Sequence, residues 1–288
     1  MKNLGFRRIV LATDGSDQAE AAVGVAASFA HASQASVRIA HVWNLEVHHR
    51  HGVWDVEMRS EAERLIGETV KRLRAAGVEA DGEICRADSS HVAAAVAQVA
   101  RQFDADLLVV GSRGLSDWQS ITGHSVSHQL LTTVDCPILI VKGDSSAARH
   151  IPQRVLLAVA GGDDVQPAAR AAIAAAAAPG STVLVLHVAQ ALIGAMGFAY
   201  VEQDDEIKAT LETTRTMLNA AGIASEETIA EPGPVAKTVA EVASRWQADV
   251  IVIGSGRLSD LGSLLFGSVT HGLLRVSDRP VLVAERFR

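Results

Sequence analysis

The chain repeats itself, and no other feature constrains its fold as much. RRIVLATDGSD (7–17) aligns with QRVLLAVAGGD (153–163), and SVRIAHVW (36–43) with TVLVLHVA (182–189), both at an offset of 146 residues. DADLLVVGSRGLSD (104–117) then aligns with QADVIVIGSGRLSD (247–260), and CPILIVK (136–142) with RPVLVAE (279–285), at an offset of 143. The net loss of three residues falls in the variable middle of the second half. Blocks that recur in the same order mean two copies of one structural plan. The 288 residues suit that reading, being about two domains of roughly 150 residues, each long enough to bury its own core.

Within each half, short aliphatic runs alternate with helical patterns. The first half predicts strands at 8–12, 36–42, 80–85, 107–111 and 138–142, with helices near 17–33, 57–76, 90–103 and 125–133. Gly77 stands where a helix C-cap belongs, and Ser89 or Ser90 can cap the third helix. Runs such as LLVV (107–110) and VIVIG (250–254) lack polar alternation, which indicates parallel strands covered on both faces. The expected fold class is therefore α/β. It comprises two tandem doubly wound, Rossmann-like domains, each a mainly parallel five-stranded sheet between helices. GDSSAARHIPQ (143–153) has a linker's composition and sets the boundaries as 1–144 and 152–288, with 145–151 between them. A linker this short predicts that the two domains pair with each other, as a pseudo-twofold unit inside one chain.

Composition excludes several functions. Lys plus Arg number 26 against 33 Asp plus Glu, a net charge of −7, and no stretch concentrates the positive charge, so nucleic acid and anionic membrane surfaces are disfavoured as partners. The apolar run before Asp14 is too short for a signal peptide, and the Ala-rich run 171–178 ends at Pro179, too short to span a bilayer. Cys85 and Cys136 are far apart, with no CxxC spacing, and read as small buried hydrophobes. The expected setting is the cytoplasm with reduced thiols. His48, His49 and His51 cluster in one segment, yet adjacent side chains without a placed fourth ligand are better read as a solvated loop than as a metal site. No metal site is expected.

In an open parallel sheet, ligands sit beyond the carboxyl ends of the strands, where the strand order reverses. The loop after the first strand carries Thr13, Asp14, Gly15 and Ser16. The loop after the fourth carries Gly111, Arg113 and Gly114, then, nine residues on, His124, Ser125 and Val126. Glycines after a buried strand allow close backbone approach, and a Ser opening a helix adds a hydroxyl beside unpaired amides, a combination that suits phosphate. The second half repeats this with Gly254, Arg257, Gly267, Ser268 and Val269. Other readings stand beside these: Asp14 as a turn or N-cap residue, Gly111 and Gly114 as turn formers, Ser125 and Ser268 as plain caps.

Taken together, these motifs resemble the universal stress protein family in its tandem form, over nearly the whole chain. The resemblance is carried by the ATDGS first loop, the His-Val endings of the second strands (His41-Val42, His187-Val188), the G-x2-G-x9-G-S/T pattern and the Pro that opens each last strand (Pro137, Pro280). It implies a non-catalytic, ATP-binding stress protein acting through conformation and association. ATP, with or without Mg, would lie against Thr13, Asp14, Val42, Gly111, Arg113, Gly114, His124, Ser125 and Val126 in the first half. In the second, Val188, Gly254, Arg257, Gly267, Ser268 and Val269 would serve. It further implies last strands that pair between domains, and it leaves room for a homodimer.

Both halves depart from the pattern. His124 replaces the third glycine of the first half; in the second, Ala160 stands where the Asp would be and Arg257 replaces the second glycine. An imidazole or guanidinium can either fill the site or pair with phosphate, whereas losing the Asp removes an acceptor outright. The sites are therefore expected to be unequal. The alternative is a stress protein that has lost nucleotide binding and acts only as an interaction scaffold. An adenylyl transferase is disfavoured, because an HxGH signature belongs after strand one, where this chain has Thr13 to Ser16. No GxxxxGK[ST] loop supplies a lysine clamp for rapid hydrolysis.

Overall fold

The computed structural model describes residues 4–48, 52–55, 58–88, 90–112, 126–142, 151–160, 165–189, 191–194, 197–200, 204–230, 233–254 and 268–284. The chain divides into two compact units, one of Phe6–Ile151 and one of Pro152–Arg288 together with Met1–Gly5. Most of the linker expected at 145–151 lies outside the described residues.

The first unit runs β1 (Arg8–Ala12), α1 (Asp17–Ser33), β2 (Ser36–His48), β3 (Gly52–Asp55), α2 (Arg59–Ala75), β4 (Ala80–Asp88), α3 (Val92–Gln102), β5 (Leu107–Ser112), α4 (Val126–Thr133) and β6 (Ile138–Lys142). The sheet order is β6-β5-β1-β2-β4, all parallel. β1 is central: Leu11 pairs with Ile39 on one side and Val109 on the other. The chain winds outward from β1 to β4 and then restarts at β5 on the other flank. Strand order thus reverses between β1 and β5, the place where such sheets bind ligands.

The second unit repeats the plan with β7 (Arg154–Val159), α5 (Val165–Ala175), β8 (Thr182–Val188), α6 (Asp204–Ala220), β11 (Ala224–Ala230), α7 (Val235–Arg245), β12 (Val250–Gly254), α8 (Ser268–Val276) and β13 (Val281–Ala284). Its parallel order is β11-β8-β7-β12-β13. The expected doubly wound α/β fold is present in both halves. The central strands are dry: Ile9, Val10, Leu11, Leu107, Leu108, Val109, Leu156 and Leu157 are fully buried. The Ala-rich run forms a tightly packed helix, with Ala168, Ala169, Ala171, Ala172 and Ala175 all buried. No helix among the described residues is long and apolar enough to cross a membrane.

Two pieces of antiparallel structure were not expected. β2 continues past Val42 to His48 and turns back into β3, with Leu45 opposite Asp55 and His48 opposite Gly52. His48 is thus a strand end rather than part of a loop, while His49 and His51 lie outside the described residues. In the second unit, β9 (Ala191–Gly194) and β10 (Gly197–Tyr200) pair only with each other among the described residues. β4 likewise runs on to Asp88. Cys136 is buried as expected, but Cys85 on β4 is only half-buried.

One brace recurs at the opposite, amino end of both sheets. The Asp106 carboxylate accepts from the backbone N–H groups of Arg7 (2.8 Å) and Arg8 (2.9 Å); the Asp249 carboxylate accepts from those of Gln153 and Arg154, both at 2.8 Å. Each ties the start of a central strand to the turn that feeds its neighbour. Each turn leaves its helix through a left-handed residue, Asp104 (φ +49°) or Gln247 (φ +57°). Backbone-to-carboxylate bonds are charge-assisted. Asp106→Ala and Asp249→Ala are each expected to cost about 1–3 kcal/mol, read as a lower urea midpoint for the unit that carries the change.

Candidate functional site

At the carboxyl edge of the first sheet, β1 ends in a loop held at nearly every polar atom. The Thr13 N–H donates to the Ala40 carbonyl (3.1 Å), continuing the β1–β2 ladder by one bond. His41 Nδ1 lies 2.9 Å from the Thr13 carbonyl oxygen. A carbonyl can only accept, so Nδ1 carries the proton. Thr13 is thereby tied to β2 through both of its peptide groups, and both it and His41 are buried. Next, Thr13 Oγ1 accepts from the Gly15 N–H (3.2 Å), and Asp14 Oδ1 accepts from the Ser16 N–H (3.0 Å) and hydroxyl (2.6 Å). Ser16, not Asp14, caps α1, accepting from Ala19 N.

Gly15 has φ +76°, and a Cβ there would stand 3.1 Å from two carbons of Leu65 on α2. Any side chain at this position would meet both backbone strain and crowding. The turn reading of Asp14 is therefore correct at the level of local structure, and the same turn holds its exposed carboxylate just beyond the carboxyl end of β1.

The sheet brings the other first-half candidates alongside. Ala12 pairs with Ala40 and with Val110, so His41–Val42 and Gly111 flank the Thr13 exit. Val42 is buried, paired with Cys85; Gly111 is half-buried, paired with Val141. Trp43 follows, half-buried, with the Arg86 guanidinium 5.0 Å from its ring centre. Val126 opens α4. Arg113, Gly114, His124 and Ser125 lie outside the described residues.

The second unit keeps the scaffold and loses the carboxylate. His187 Nδ1 lies 3.0 Å from the Val159 carbonyl, the counterpart of the His41–Thr13 bond, and His187 is likewise buried. Val188 is buried beside it, Gly254 ends β12, and Ala160 is exposed where Asp14 stands in the first half. Ser268 and Val269 open α8, whereas Arg257 and Gly267 lie outside the described residues.

The role of the two histidines was missed by sequence reasoning, although the doubled His-Val spelling was its signal. Also missed was a cluster at the end of β4. Asp88 Oδ1 accepts from the Ser90 N–H (2.9 Å) and hydroxyl, and His91 Nδ1 lies 2.8 Å away. These hydrogen bonds, from Ser90 first and His91 second, hold the Asp88 carboxyl down at about 2, from an ordinary 3.8. Nearby, burial and the Glu83 charge push the Cys85 thiol up, away from thiolate reactivity.

Comparison with known proteins places this architecture. The profile of the universal stress protein family matches residues 5–142 and again 152–285. The chain belongs to the universal stress protein family. Its tandem form recurs in a universal stress protein of Mycobacterium tuberculosis, 23% identical over 96% of this chain and 97% of that one. A single-domain universal stress protein of Thermus aquaticus is 30% identical over 46% of this chain and 97% of its own length. Among solved structures, a universal stress protein from Archaeoglobus fulgidus superposes with a TM-score of 0.76, at 22% identity, over 99% of this chain and 98% of that one, a likeness of fold.

In this universal stress protein, His41→Leu is expected to leave the buried Thr13 carbonyl without its donor, at a cost of about 1–3 kcal/mol. Faster amide exchange at Gly15 and Ser16 is the signature; unchanged exchange would contradict the role. Asp88, its carboxyl lowered in the folded chain, contributes stability that is present above about pH 4 and lost as pH falls from there towards 2. Asp88→Asn should flatten that part of the melting-temperature profile.

Proposed function

We propose that this universal stress protein binds an adenine nucleotide, ATP with or without Mg, in its first half, and acts as a non-catalytic regulator through conformation and association in the cytoplasm. The observation that carries this reading is the pinned loop from Thr13 to Ser16. Its backbone is hydrogen-bonded within the protein, it holds an acidic acceptor at the reversal point of the sheet, and it lies beside Val42 of β2 and Gly111 of β5. A fixed loop lowers the ordering cost of binding. The donor set fits an adenosine: the Asp14 carboxylate can accept from ribose hydroxyls, and the peptide groups at Val42 can read the edge of the base.

Triphosphate contacts fall to the segment from Gly111 to Val126, by resemblance to the family. ATP supplies a polyanion there, and the residues of this chain bind and orient it. The absence of a lysine-bearing phosphate loop and of an HxGH signature supports binding without rapid turnover. For the second half a specific observation favours the other reading. Ala160 removes the acidic acceptor while the His187–Val159 bond persists, which supports a unit kept for its fold and its contacts rather than for nucleotide.

The test is native mass spectrometry of the purified protein, with calorimetric titration of ATP. One equivalent is expected. Asp14→Ala should weaken it about tenfold, the size of one charge-assisted hydrogen bond. ATP at a hundredfold over its Kd should add about 2.7 kcal/mol of stability. If no adenine nucleotide is released on denaturation and ATP leaves the melting temperature unmoved, the nucleotide reading fails and the scaffold reading stands.

A further inference from the structure

Strand β2 has partners along both of its edges, and on one edge the partner changes partway. β4 follows the far edge, from Val37 opposite Ala80 to Leu45 opposite Asp88. The near edge belongs to β1 as far as Ala40, which stands opposite Ala12. Leu45 is paired a second time, with Asp55 of the antiparallel β3. A strand has two edges and β4 holds one of them at Leu45, so β3 lies on the β1 edge, beyond the end of β1. Between the two, residues 41–44 have no strand beside them on that edge, which leaves a slot of about 16 Å from Ala40 to Leu45 at about 3.3 Å per residue.

The slot presents backbone. Ser36 donates to the Arg7 carbonyl and Ala40 accepts from the Thr13 N–H, so alternate residues of β2 turn their peptide groups to this edge, and Val42 is the next of them. The Gly15 N–H would continue the ladder onto the Val42 carbonyl, but it donates to Thr13 Oγ1 instead, while His41 Nδ1 donates to the Thr13 carbonyl. The pinned loop thus stops the sheet one step short of Val42. One lip of the slot is this loop, with the Asp14 carboxylate; the other is the end of β3 at Asp55. The second unit has no such second lip among the described residues. There β8 pairs with β7 to His187 and with β11 to Val188, and the following β9 and β10 pair only with each other.

We infer that β3 is the far wall of the slot that receives the base, and that Asp55 at its near end sets the preference of this slot for a base carrying an amino group, adenine, over one carrying a carbonyl in that place. The inference rests on the nucleotide reading above and adds to it the element that tells one base from another. The length of the slot suits a nucleoside lying along the edge of β2, ribose at the Asp14 lip and base towards Asp55. The peptide at Val42 offers one donor and one acceptor, which orient a planar base but can be met by either pattern of ring substituents. An ionised carboxylate only accepts, so an amino group satisfies it and a carbonyl oxygen repels it. A mismatch of that kind discriminates strongly, because it leaves a polar group without a partner.

The experiment is calorimetric titration of the full chain with ATP and with inosine triphosphate, which shares the ribose and phosphates and carries a carbonyl where ATP carries its 6-amino group. Wild type should prefer ATP about tenfold or more, the worth of one charge-assisted hydrogen bond. Asp55→Ala should remove most of that preference by weakening ATP, and Trp54→Pro, which takes an N–H out of β3, should do the same. Asp14→Ala, at the other lip, should weaken both nucleotides alike. Asp55 ends β3 outside the parallel sheet, so its variant decides the test if Trp54→Pro does not fold. ATP bound with no preference over inosine triphosphate, a preference that Asp55→Ala leaves unchanged, or one that Asp14→Ala abolishes in its stead would overturn the inference while the nucleotide reading stands. Binding of neither nucleotide would overturn both.

Discussion

A central strand paired on both sides and buried on both faces is the constraint from which the rest of each unit follows. Ile9 to Ala12 can satisfy their backbone only through β2 and β5, and their side chains only through helices above and below. Polar chemistry is thereby expelled to the two ends of the strand. At the amino end it becomes the Asp106 brace, and at the carboxyl end the pinned Thr13 loop. The second unit obeys the same rule with Asp249 and His187. Both ends of both central strands are thus closed by a side chain bonded to backbone, which fixes where a ligand can approach.

Duplication followed by loss is legible residue by residue. Asp14 and Arg38 of the first half have become Ala160 and Leu184, and each change removes a charged group while leaving its scaffold in place. The consequences differ. At the carboxyl edge, the change from Asp14 to Ala160 takes away an acceptor. On the α7 face, losing the Arg38 counterpart is offset by Arg154 of β7, whose guanidinium lies 4.6 Å from the Trp246 ring centre. A close approach appears in the second unit as well: Gly272 lets α8 come so near α7 that a Cβ there would stand 2.8 Å from that of Ala236, where the first unit has Gln129 and Ala93.

The parallel strands and the long helices were legible because aliphatic runs and helical periodicity are local signals, and the repeat supplied each of them twice. The antiparallel pieces were not. Trp43 to His48 continue β2 through a turn-type residue, Asn44, that makes no turn there, and Ala191 to Tyr200 carry no alternation that separates a hairpin from a loop. Of the candidate site, Asp14, Val42 and Gly111 could be named from motif and position, and the ladder sets them on one edge. The histidines beside them were spelled out as His-Val, but their task depends on a carbonyl 28 residues away in sequence.

The sequence by itself determined the fold class, the duplication, the dry sheet and the inequality of the two halves, since these rest on residue type, period and register. Only the tertiary structure decided which side chain meets which. His41 reaches Thr13, Arg38 reaches Asp81 and Phe103, and Arg154, from a different strand, reaches Trp246. Such contacts join strands and helices that are distant along the chain, and the length and charge of one side chain decide whether the space between them is filled or open.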